Sequence, residues 1–323
     1  MKISVAMCTY NGERFLSEQA ESFLAQTRKP DQIIINDDAS RDETWTFLQS
    51  FAERAGAMGI EVKLHRNSEN LGYIRNFESA LQRTSGDLVF LCDQDDIWLP
   101  DKVAAFCAEF ERRPDLGLLH SDARLIDDDG CDIGYSLFDA LEMTRRERTW
   151  IHQGDALAAL LPRNLATGAT MAFRRDVMLA ALPIAEGWFH DEWLALVAAL
   201  ISRVDCLETP SIAYRQHGAN QVGARRRTKQ EKKVEASKPR REVMYHIAGR
   251  AERLYVQAEE RRLPLSPARL HDLRGHIRHK RSRAQMSRLL VIRLPVVLRE
   301  ILRGRYWRYS SGFRSIARDM LGF

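Results

Sequence analysis

The sequence predicts an α/β protein in which a mostly parallel sheet flanked by helices precedes a basic, mainly helical C-terminal region. Short apolar runs alternate with segments of helical periodicity over roughly the first 125 residues. Strands that alternate with helices form parallel sheets through right-handed crossovers. The second observation is the charge, because residues 1–224 hold 22 Lys+Arg and 35 Asp+Glu, whereas residues 225–323 hold 27 and 9.

This charge division predicts two domains, a catalytic domain at residues 1–222 and a basic, mainly helical region at residues 223–323. The five cysteines are odd in number and never form a C-x-x-C pair. This pattern favours reduced thiols in the cytoplasm over a disulfide framework or a zinc site. No apolar run approaches the roughly twenty residues of a membrane span. Because Met1 and Lys2 lead directly into a strand, we expect no signal peptide.

The elements follow in order from apolar runs and helical spacing. We predict strands at residues 3–7, 33–35, 62–65, 88–92, 118–121 and 212–216, with helices between the early ones. Ser40 and Glu43 have the spacing of a capping box for the second helix. In the C-terminal region a charged helix is expected over residues 242–262. Pro295 is expected to start a short helix with apolar residues on one side and arginines on the other.

The most informative segment is the apolar run 88–92, which leads directly into Asp93, Gln94, Asp95 and Asp96. Such a run predicts a strand buried on both faces. Ligands of open α/β sheets bind just beyond the carboxyl ends of the strands. A D-x-D at that position, with oxygen ligands and no His or Cys, suits Mg²⁺ or Mn²⁺ holding the phosphates of a substrate. The alternative is a solvated acidic turn.

Further polar groups lie at comparable positions. Asp37 and Asp38 follow the second predicted strand, Asp191 and Glu192 open a helix, and His217 follows the last predicted strand. A helix amino terminus also favours a carboxylate without any catalytic role, and a lone histidine is often structural. Together these groups nevertheless indicate one polar site at one edge of the sheet.

The chain resembles the family-2 inverting glycosyltransferases with the A-type, Rossmann-like nucleotide-diphospho-sugar transferase fold, and within them the rhamnosyltransferase-like members that decorate bacterial cell-surface polysaccharides. The matching segments occur in the family's order over roughly the first 220 residues. They are residues 5–12, 35–44, 70–72, 92–102, 190–193 and 214–218.

The resemblance implies a nucleotide-sugar site, with a dTDP- or UDP-sugar as donor. Thr9, Tyr10 and Asn11 would line the base and ribose pocket, Asp38 would accept from the pyrimidine N3–H, and Arg75 would contact the donor. Asp95 would ligate the Mg²⁺ or Mn²⁺ ion, Asp93 would lie near the ribose or the metal, and His217 would complete the metal's ligands.

The resemblance also implies the chemistry. Asp191 would act as general base on an acceptor hydroxyl, and attack opposite the leaving group would invert the anomeric centre. The acceptor is expected to be a cell-surface glycan or a lipid-linked sugar. Its site is expected to be lined by Thr167, Gly168, Trp188, Glu192 and Trp193. Rhamnose is the sugar that the resemblance suggests, and other hexoses remain alternatives.

The basic C-terminal region leaves several interpretations open. It packs onto the acidic domain, mediates self-association, or attaches the protein to an anionic membrane surface on the inner face of the cytoplasmic membrane. A different class of function is a nucleic-acid-binding protein whose arginines track phosphates. The acidic first 224 residues and the lack of a recognised nucleic-acid motif argue against that alternative.

Overall fold

The computed structural model describes residues 1–218, 223–237 and 239–321. Its internal contacts divide the chain into two compact units, residues 1–226 and residues 227–323. The first unit contains the sheet and the second is helical. We refer to them as the sheet unit and the helical unit.

The sheet unit has nine strands in its described residues. They are β1 (Ile3–Thr9), β2 (Gln32–Asp37), β3 (Glu61–Arg66), β4 (Leu88–Cys92), β5 (Ile97–Trp98), β6 (Leu116–Ile126), β7 (Asp132–Ser136), β8 (Met171–Arg174) and β9 (Arg203–Arg215). Their spatial order is β3-β2-β1-β4-β8-β6-β9-β5, and β7 pairs with β6.

The sheet is mixed. The pairs β1–β2, β2–β3, β1–β4 and β6–β9 are parallel, whereas β8 runs antiparallel to both of its neighbours, β4 and β6. The strand–helix rhythm therefore predicts the first half of the sheet, in which each crossover contains a helix. It does not predict β8, which enters the sheet after a long irregular segment. The sheet, its flanking helices and the helical C-terminal region confirm the predicted fold class.

Burial explains why the central strands are apolar. Every residue of β1 and β4 is buried, because helices cover both faces of the sheet there. At the sheet edge, β3 alternates between exposed and half-buried residues, with Lys63 and Arg66 among them. The carboxyl ends of β1, β2 and β4 lie side by side, since the three strands are parallel neighbours.

Helices fill the connections of the sheet unit. They are α1 (Glu13–Leu24), α2 (Thr44–Ala57), α3 (Tyr73–Arg83), α4 (Lys102–Arg112), α5 (Leu137–Ala140), α6 (Arg145–His152), α7 (Ala156–Leu160), α8 (Arg175–Ala181) and α9 (His190–Ile201), with a 3₁₀ turn at Gly168–Thr170. The predicted capping box is wrong, because α2 begins at Thr44. The hydroxyl of Ser40 instead bonds to the Asp37 carboxylate.

The helical unit comprises α10 (Lys229–Ser237), α11 (Arg240–Glu260), α12 (Pro267–Ala284), α13 (Leu290–Leu302), α14 (Arg305–Tyr309) and α15 (Phe313–Leu321). The prediction that Pro295 starts a helix is wrong, because Pro295 lies inside α13. No helix in the parts of the chain that the structure describes is long and apolar enough to cross a membrane.

The interior of the helical unit is held together by polar contacts. The Asp319 carboxylate accepts from Arg283 Nε at 2.6 Å and from the Tyr306 hydroxyl at 2.7 Å. The buried His279 ring bonds through Nδ1 to Glu300 Oε2 at 2.8 Å. Buried ion pairs stay stable only while both partners are present. These contacts therefore hold α12, α13, α14 and α15 in one arrangement.

We expect Asp319→Ala to destabilise the helical unit by about 3–5 kcal/mol, because it strands the buried Arg283 guanidinium without a counter-charge. Hydrogen exchange of α12 peptides at increasing urea concentration measures this loss. The matched control is Glu252→Ala, which removes a partly exposed partner of Arg281 and is expected to cost no more than about 1 kcal/mol. Equal losses in the two variants would contradict the assignment.

Candidate active site

The turn after β1 is fixed by side chains from neighbouring loops. Thr9 Oγ1 donates to Asp37 Oδ1 at 3.0 Å, and the Tyr10 N–H donates to Gln94 Oε1 at 2.8 Å. Asn11 has a positive φ of 46°, and its Oδ1 accepts from the Arg41 N–H at 2.8 Å. The structure therefore brings the three predicted nucleotide-pocket residues together at the carboxyl ends of β1 and β2. The Tyr10 side chain is exposed there.

Asp38 is a junction of loops. Its Oδ1 accepts from Asn67 Nδ2 at 2.7 Å and from the Leu71 N–H at 2.8 Å, and its Oδ2 accepts from the Gly72 N–H at 2.9 Å. These bonds shape the turn before α3. A carboxylate has about four acceptor positions, so these three bonds leave one unused on Asp38, which is itself buried. Arg75, three residues beyond Gly72, is exposed and pairs with Glu78 at 3.2 Å.

The carboxylates of Asp93 and Asp96, in the acidic loop after β4, are poorly solvated. Burial, with Asp95 and Asp191 close by, raises the pKa of Asp93 to about 7. Burial also raises the pKa of Asp96 well above its ordinary value, with Asp95 and Asp93 adding to the effect. Asp96 Oδ2 has no hydrogen-bond partner among the described residues. The alternative interpretation, a solvated acidic turn, does not fit this burial.

Two buried basic side chains, Lys102 and Arg215, lie close to this loop. Lys102, at the start of α4, is buried, donates to the Ala169 carbonyl at 2.7 Å and lies over the Trp98 ring at 4.0 Å. Burial lowers its pKa to about 7, although Cys92, Asp96 and Asp93 oppose that shift. The buried Arg215 donates from Nε to the Asp95 carbonyl at 2.9 Å, and its own N–H donates to Asp96 Oδ1 at 3.0 Å.

The structure brings two of the three predicted metal ligands into contact. His217 Nε2 lies 2.7 Å from Asp95 Oδ2, and the His217 ring packs at 4.9 Å from the ring of Phe15. A cavity of about 480 Å³ borders His217 on one side. Asp93 does not join this pair in a compact three-ligand group. It is nevertheless close enough to Asp95, Asp191 and Lys102 for their charges to affect its pKa.

One compact group of possible metal ligands occurs elsewhere in the described residues, formed by His152, Asp205 and Cys206. Asp205 is already paired with Arg113, and Arg203 lies 4.0 Å from it. Burial raises the pKa of the Cys206 thiol to about 12, so this sulfur is protonated at neutral pH. We assign no metal to this group, because the Asp205 carboxylate already bonds to Arg113 and to His152 Nδ1, the latter at 2.6 Å.

Asp191 lies in the first turn of α9, facing the acidic loop. Its Oδ2 accepts from the Gly168 N–H at 3.1 Å and its Oδ1 from the Glu192 N–H at 2.6 Å. Asp191 is not the N-cap of α9, because Phe189 has that position and the helix begins at His190. Asp191 also contributes to the raised pKa of Asp93. Two carboxylates nearly a hundred residues apart in sequence therefore share one site.

The residues predicted to line an acceptor site divide into two groups. Thr167 and Gly168 lie on the segment that bonds to Asp191. Trp188 and Trp193 are buried, with ring centroids 6.0 Å apart, and Trp193 Nε1 donates to the Ala181 carbonyl at 2.6 Å. The tryptophans and the buried Glu192 thus belong to the packing behind Asp191, since their burial leaves little surface for a ligand.

Sequence reasoning missed Lys102, Arg215 and His190 as parts of this site. In the sequence, Lys102 follows the acidic loop and Arg215 precedes His217. Lysines and arginines are usually exposed, and nothing in the local sequence indicates that these two are buried. His190 precedes Asp191 directly, and its ring is buried against Phe77 at a centroid distance of 4.2 Å. The apolar neighbours on both sides of residues 190–192 are the one available signal.

Several known proteins are similar to this chain in sequence. A glycosyltransferase of Nostoc sp. is 27% identical over 223 residues, which are 68% of this chain and 66% of the relative. A Mycobacterium tuberculosis protein is 28% identical over 222 residues, and the match covers 59% of its length. The chain thus spans about three fifths to two thirds of these relatives. Glucosyl-dolichyl phosphate glucuronosyltransferase of Haloferax volcanii is 33% identical over 117 residues, 36% of each chain.

Solved structures show the same fold. TarS of S. aureus in complex with UDP-GlcNAc is similar with a TM-score of 0.56 at 15% identity, over 98% of this chain and 90% of that chain. A mannosyltransferase from Pyrobaculum calidifontis is similar with a TM-score of 0.51 at 14% identity, over 99% and 85%. The family model of glycosyl transferase family 2 matches residues 4–177, more than half of the sequence. The chain belongs to glycosyl transferase family 2.

Proposed function

We propose that the protein transfers a sugar from a nucleotide-diphosphate donor to an acceptor hydroxyl, with inversion at the anomeric carbon and with Asp191 as the general base. The observation that carries this proposal is the position of Asp191 beside the carboxyl end of β4. Its Oδ2 accepts from the Gly168 N–H at 3.1 Å, and a Cβ placed on Gly168 would lie 3.4 Å from Asp191 Cβ and 3.6 Å from Leu91 Cδ1. A base and a phosphate-binding edge of the sheet are thereby adjacent, as a single displacement requires.

The proton path follows from the contacts of Asp191. An acceptor hydroxyl becomes an effective nucleophile as its proton leaves, and a carboxylate at hydrogen-bond distance can take that proton. The Gly168 and Glu192 N–H groups orient the carboxylate and the α9 terminus favours its negative charge. No nucleophilic side chain is needed, because one displacement completes the transfer.

The residues present fit a divalent cation. Oxygen and imidazole ligands of Asp95 and His217 meet at 2.7 Å, and the buried Asp96 has an unpartnered oxygen beside Asp93. Mutual repulsion among these carboxylates favours a cation at this place. Asp95 and His217 would hold Mg²⁺ or Mn²⁺, with Asp93 toward the donor ribose. When bound, the ion offsets negative charge on the nucleoside diphosphate.

The donor class is supported by similar structures. TarS binds UDP-GlcNAc, and the P. calidifontis mannosyltransferase binds GDP-Man with Mn²⁺. For this chain we propose a dTDP- or UDP-sugar, with Thr9, Tyr10, Asn11 and Asp38 at the base and ribose. Rhamnose is the proposed sugar by resemblance. Of the predicted acceptor residues, we propose Thr167 and Gly168 as contacts, because they adjoin Asp191.

The acceptor is proposed to be lipid-linked, with the helical unit docked on an anionic membrane surface. The buried side of helix α13 combines the apolar Val297 with two charged residues. Its polar residues Arg293 and Glu300 are buried, whereas Val291 and Leu302 are 84% and 88% exposed. Leu298 lies between these two on the exposed side. Exposed apolar patches of this kind mark interaction sites.

Charge favours an anionic partner over a second copy of the same unit for this apolar face. Residues 288–308 contain six arginines and a single acidic residue, the buried Glu300. A cavity of about 570 Å³ in the same unit is lined by Arg303, Arg305 and Arg308 among others. Apolar side chains ringed by arginines fit the boundary between acyl chains and anionic headgroups. The relative in H. volcanii acts, by its name, on a dolichyl phosphate-linked sugar.

Adding Mn²⁺ with a UDP- or dTDP-sugar is expected to raise the melting temperature of the wild-type protein. Asp95→Ala is expected to abolish that rise. The shift should be larger near about pH 8 than near about pH 5.5, because protons on the raised-pKa carboxylates of Asp93 and Asp96 compete with the cation at the lower pH. A thermal-shift panel measures this. Asp115→Ala, an exposed acid outside the site, is the control. An unchanged shift in Asp95→Ala would contradict the metal assignment.

Asp191→Asn is expected to lower kcat by about 10²- to 10⁴-fold, because the amide cannot accept the acceptor proton. The stabilisation by the nucleotide-sugar should persist, since the donor site remains. Transfer and donor binding are measured on the same preparation, with the exposed Glu186→Gln as control. Full activity in Asp191→Asn would exclude the proposed base.

Vesicles of phosphatidylglycerol and phosphatidylcholine are expected to sediment the wild type, and vesicles of phosphatidylcholine alone to sediment less. Val291→Glu combined with Leu302→Glu should weaken the binding by about tenfold or more, because two large apolar side chains no longer enter the acyl boundary. Leu179→Glu makes the same change at an exposed leucine of the sheet unit and should leave the binding unchanged. Wild type that stays in solution, or equal binding by the double variant, would refute membrane docking by α13.

A further inference from the structure

The imidazole of His190 is a buried polar group that makes no hydrogen bond to the residues that the structure describes. His190 is 8% exposed, and neither Nδ1 nor Nε2 has a partner among the described residues. The ring stacks on Phe77 with an interplanar angle of 14°, and the Tyr73 ring meets it edge-on at 5.9 Å. Leaving a buried donor and acceptor unpaired is costly, and most such groups in proteins are satisfied.

The position of this ring is adjacent to the proposed base. His190 precedes Asp191 on α9, and a Cβ placed on Gly168 would lie 3.1 Å from His190 Nε2 and 3.4 Å from Asp191 Cβ. Glycine at 168 therefore keeps the edge of the imidazole clear beside the carboxylate. The N–H of the same glycine holds Asp191 Oδ2. The ring, the base and the small-residue segment thus border one space.

We propose that His190 binds a hydroxyl of the reacting sugars and positions it next to Asp191. This inference rests on the proposed glycosyl transfer. A neutral imidazole offers one donor and one acceptor, which match the donor and acceptor character of a sugar hydroxyl. Phe77 and Tyr73 hold the ring in place through their aromatic contacts. A hydroxyl of the donor sugar and one of the acceptor are the two sources of this chemistry.

His190→Phe is the decisive variant, because phenylalanine keeps the stacked ring and removes both nitrogens. We expect kcat/KM for transfer to fall by about 10- to 100-fold, while the melting temperature rises by about 2 °C or more. His190→Gln retains a donor and an acceptor and is expected to recover part of the activity. A purely structural histidine would give no such combination of a more stable and less active protein.

His120 supplies a matched control. It is also fully buried with both ring nitrogens unpartnered, and burial lowers its pKa to about 4. Its ring packs against Phe138 and the acids near it are not those of the site. His120→Leu is expected to raise the melting temperature without changing the transfer kinetics.

Two assays distinguish the source of the hydroxyl. If the hydroxyl belongs to the donor sugar, His190→Phe loses the extra stabilisation by a UDP- or dTDP-sugar over the nucleoside diphosphate, and donor hydrolysis in water slows. If it belongs to the acceptor, both of these persist and only transfer to p-nitrophenyl glycosides slows. Wild-type rates of hydrolysis and transfer in both His190→Phe and His190→Gln would overturn the proposal. Wild type that neither binds nor hydrolyses any donor would overturn the proposed function and this inference together.

Discussion

The burial of carboxylates at the carboxyl end of β4 is the constraint on which the sheet unit depends. Asp93, Asp95 and Asp96 follow a strand whose five residues are all buried, in the middle of the sheet between β1 and β8. Such charges are stable only with compensation. Lys102 and Arg215 supply part of it from fixed positions, one from the start of α4 and one from the end of β9. The contacts of distant segments with this loop follow from that requirement.

The same requirement explains why Lys102 is buried although burial disfavours its charged form. Burial lowers the pKa of this ammonium group, while the neighbouring acids favour its charged form. Its amine is held by the Ala169 carbonyl, one residue beyond the glycine that bonds to Asp191. Lys102 therefore links the acidic loop to the 3₁₀ turn that bonds to Asp191. The same lysine therefore compensates the acidic loop and supports the segment that positions Asp191.

The sequence allows the parallel half of the sheet and the polar ends of its strands to be predicted, because both depend on local periodicity. The positions of Asp95 and His217 are also predictable, since each follows a recognisable strand. The sequence does not reveal Lys102 or His190, because their burial comes from tertiary packing. Trp188 and Trp193 show the opposite error. Aromatic residues near a base suggest a ligand wall, but in the fold their rings pack against each other.

The helical unit shows why amphipathic pattern alone cannot identify the buried face. The pattern of α13 separates apolar residues from arginines, as expected for a packed helix. In the structure its buried side includes Glu300 and Arg293, because His279 and Arg305 bond to the glutamate and the Met320 carbonyl accepts from the arginine. Polar partners supplied by other helices make a polar face the interior face. The apolar residues on the other side of α13 are then left exposed to solvent. For the membrane docking that we propose, the arginines around that face favour an anionic bilayer over a second copy of the same unit, because two such copies would repel each other.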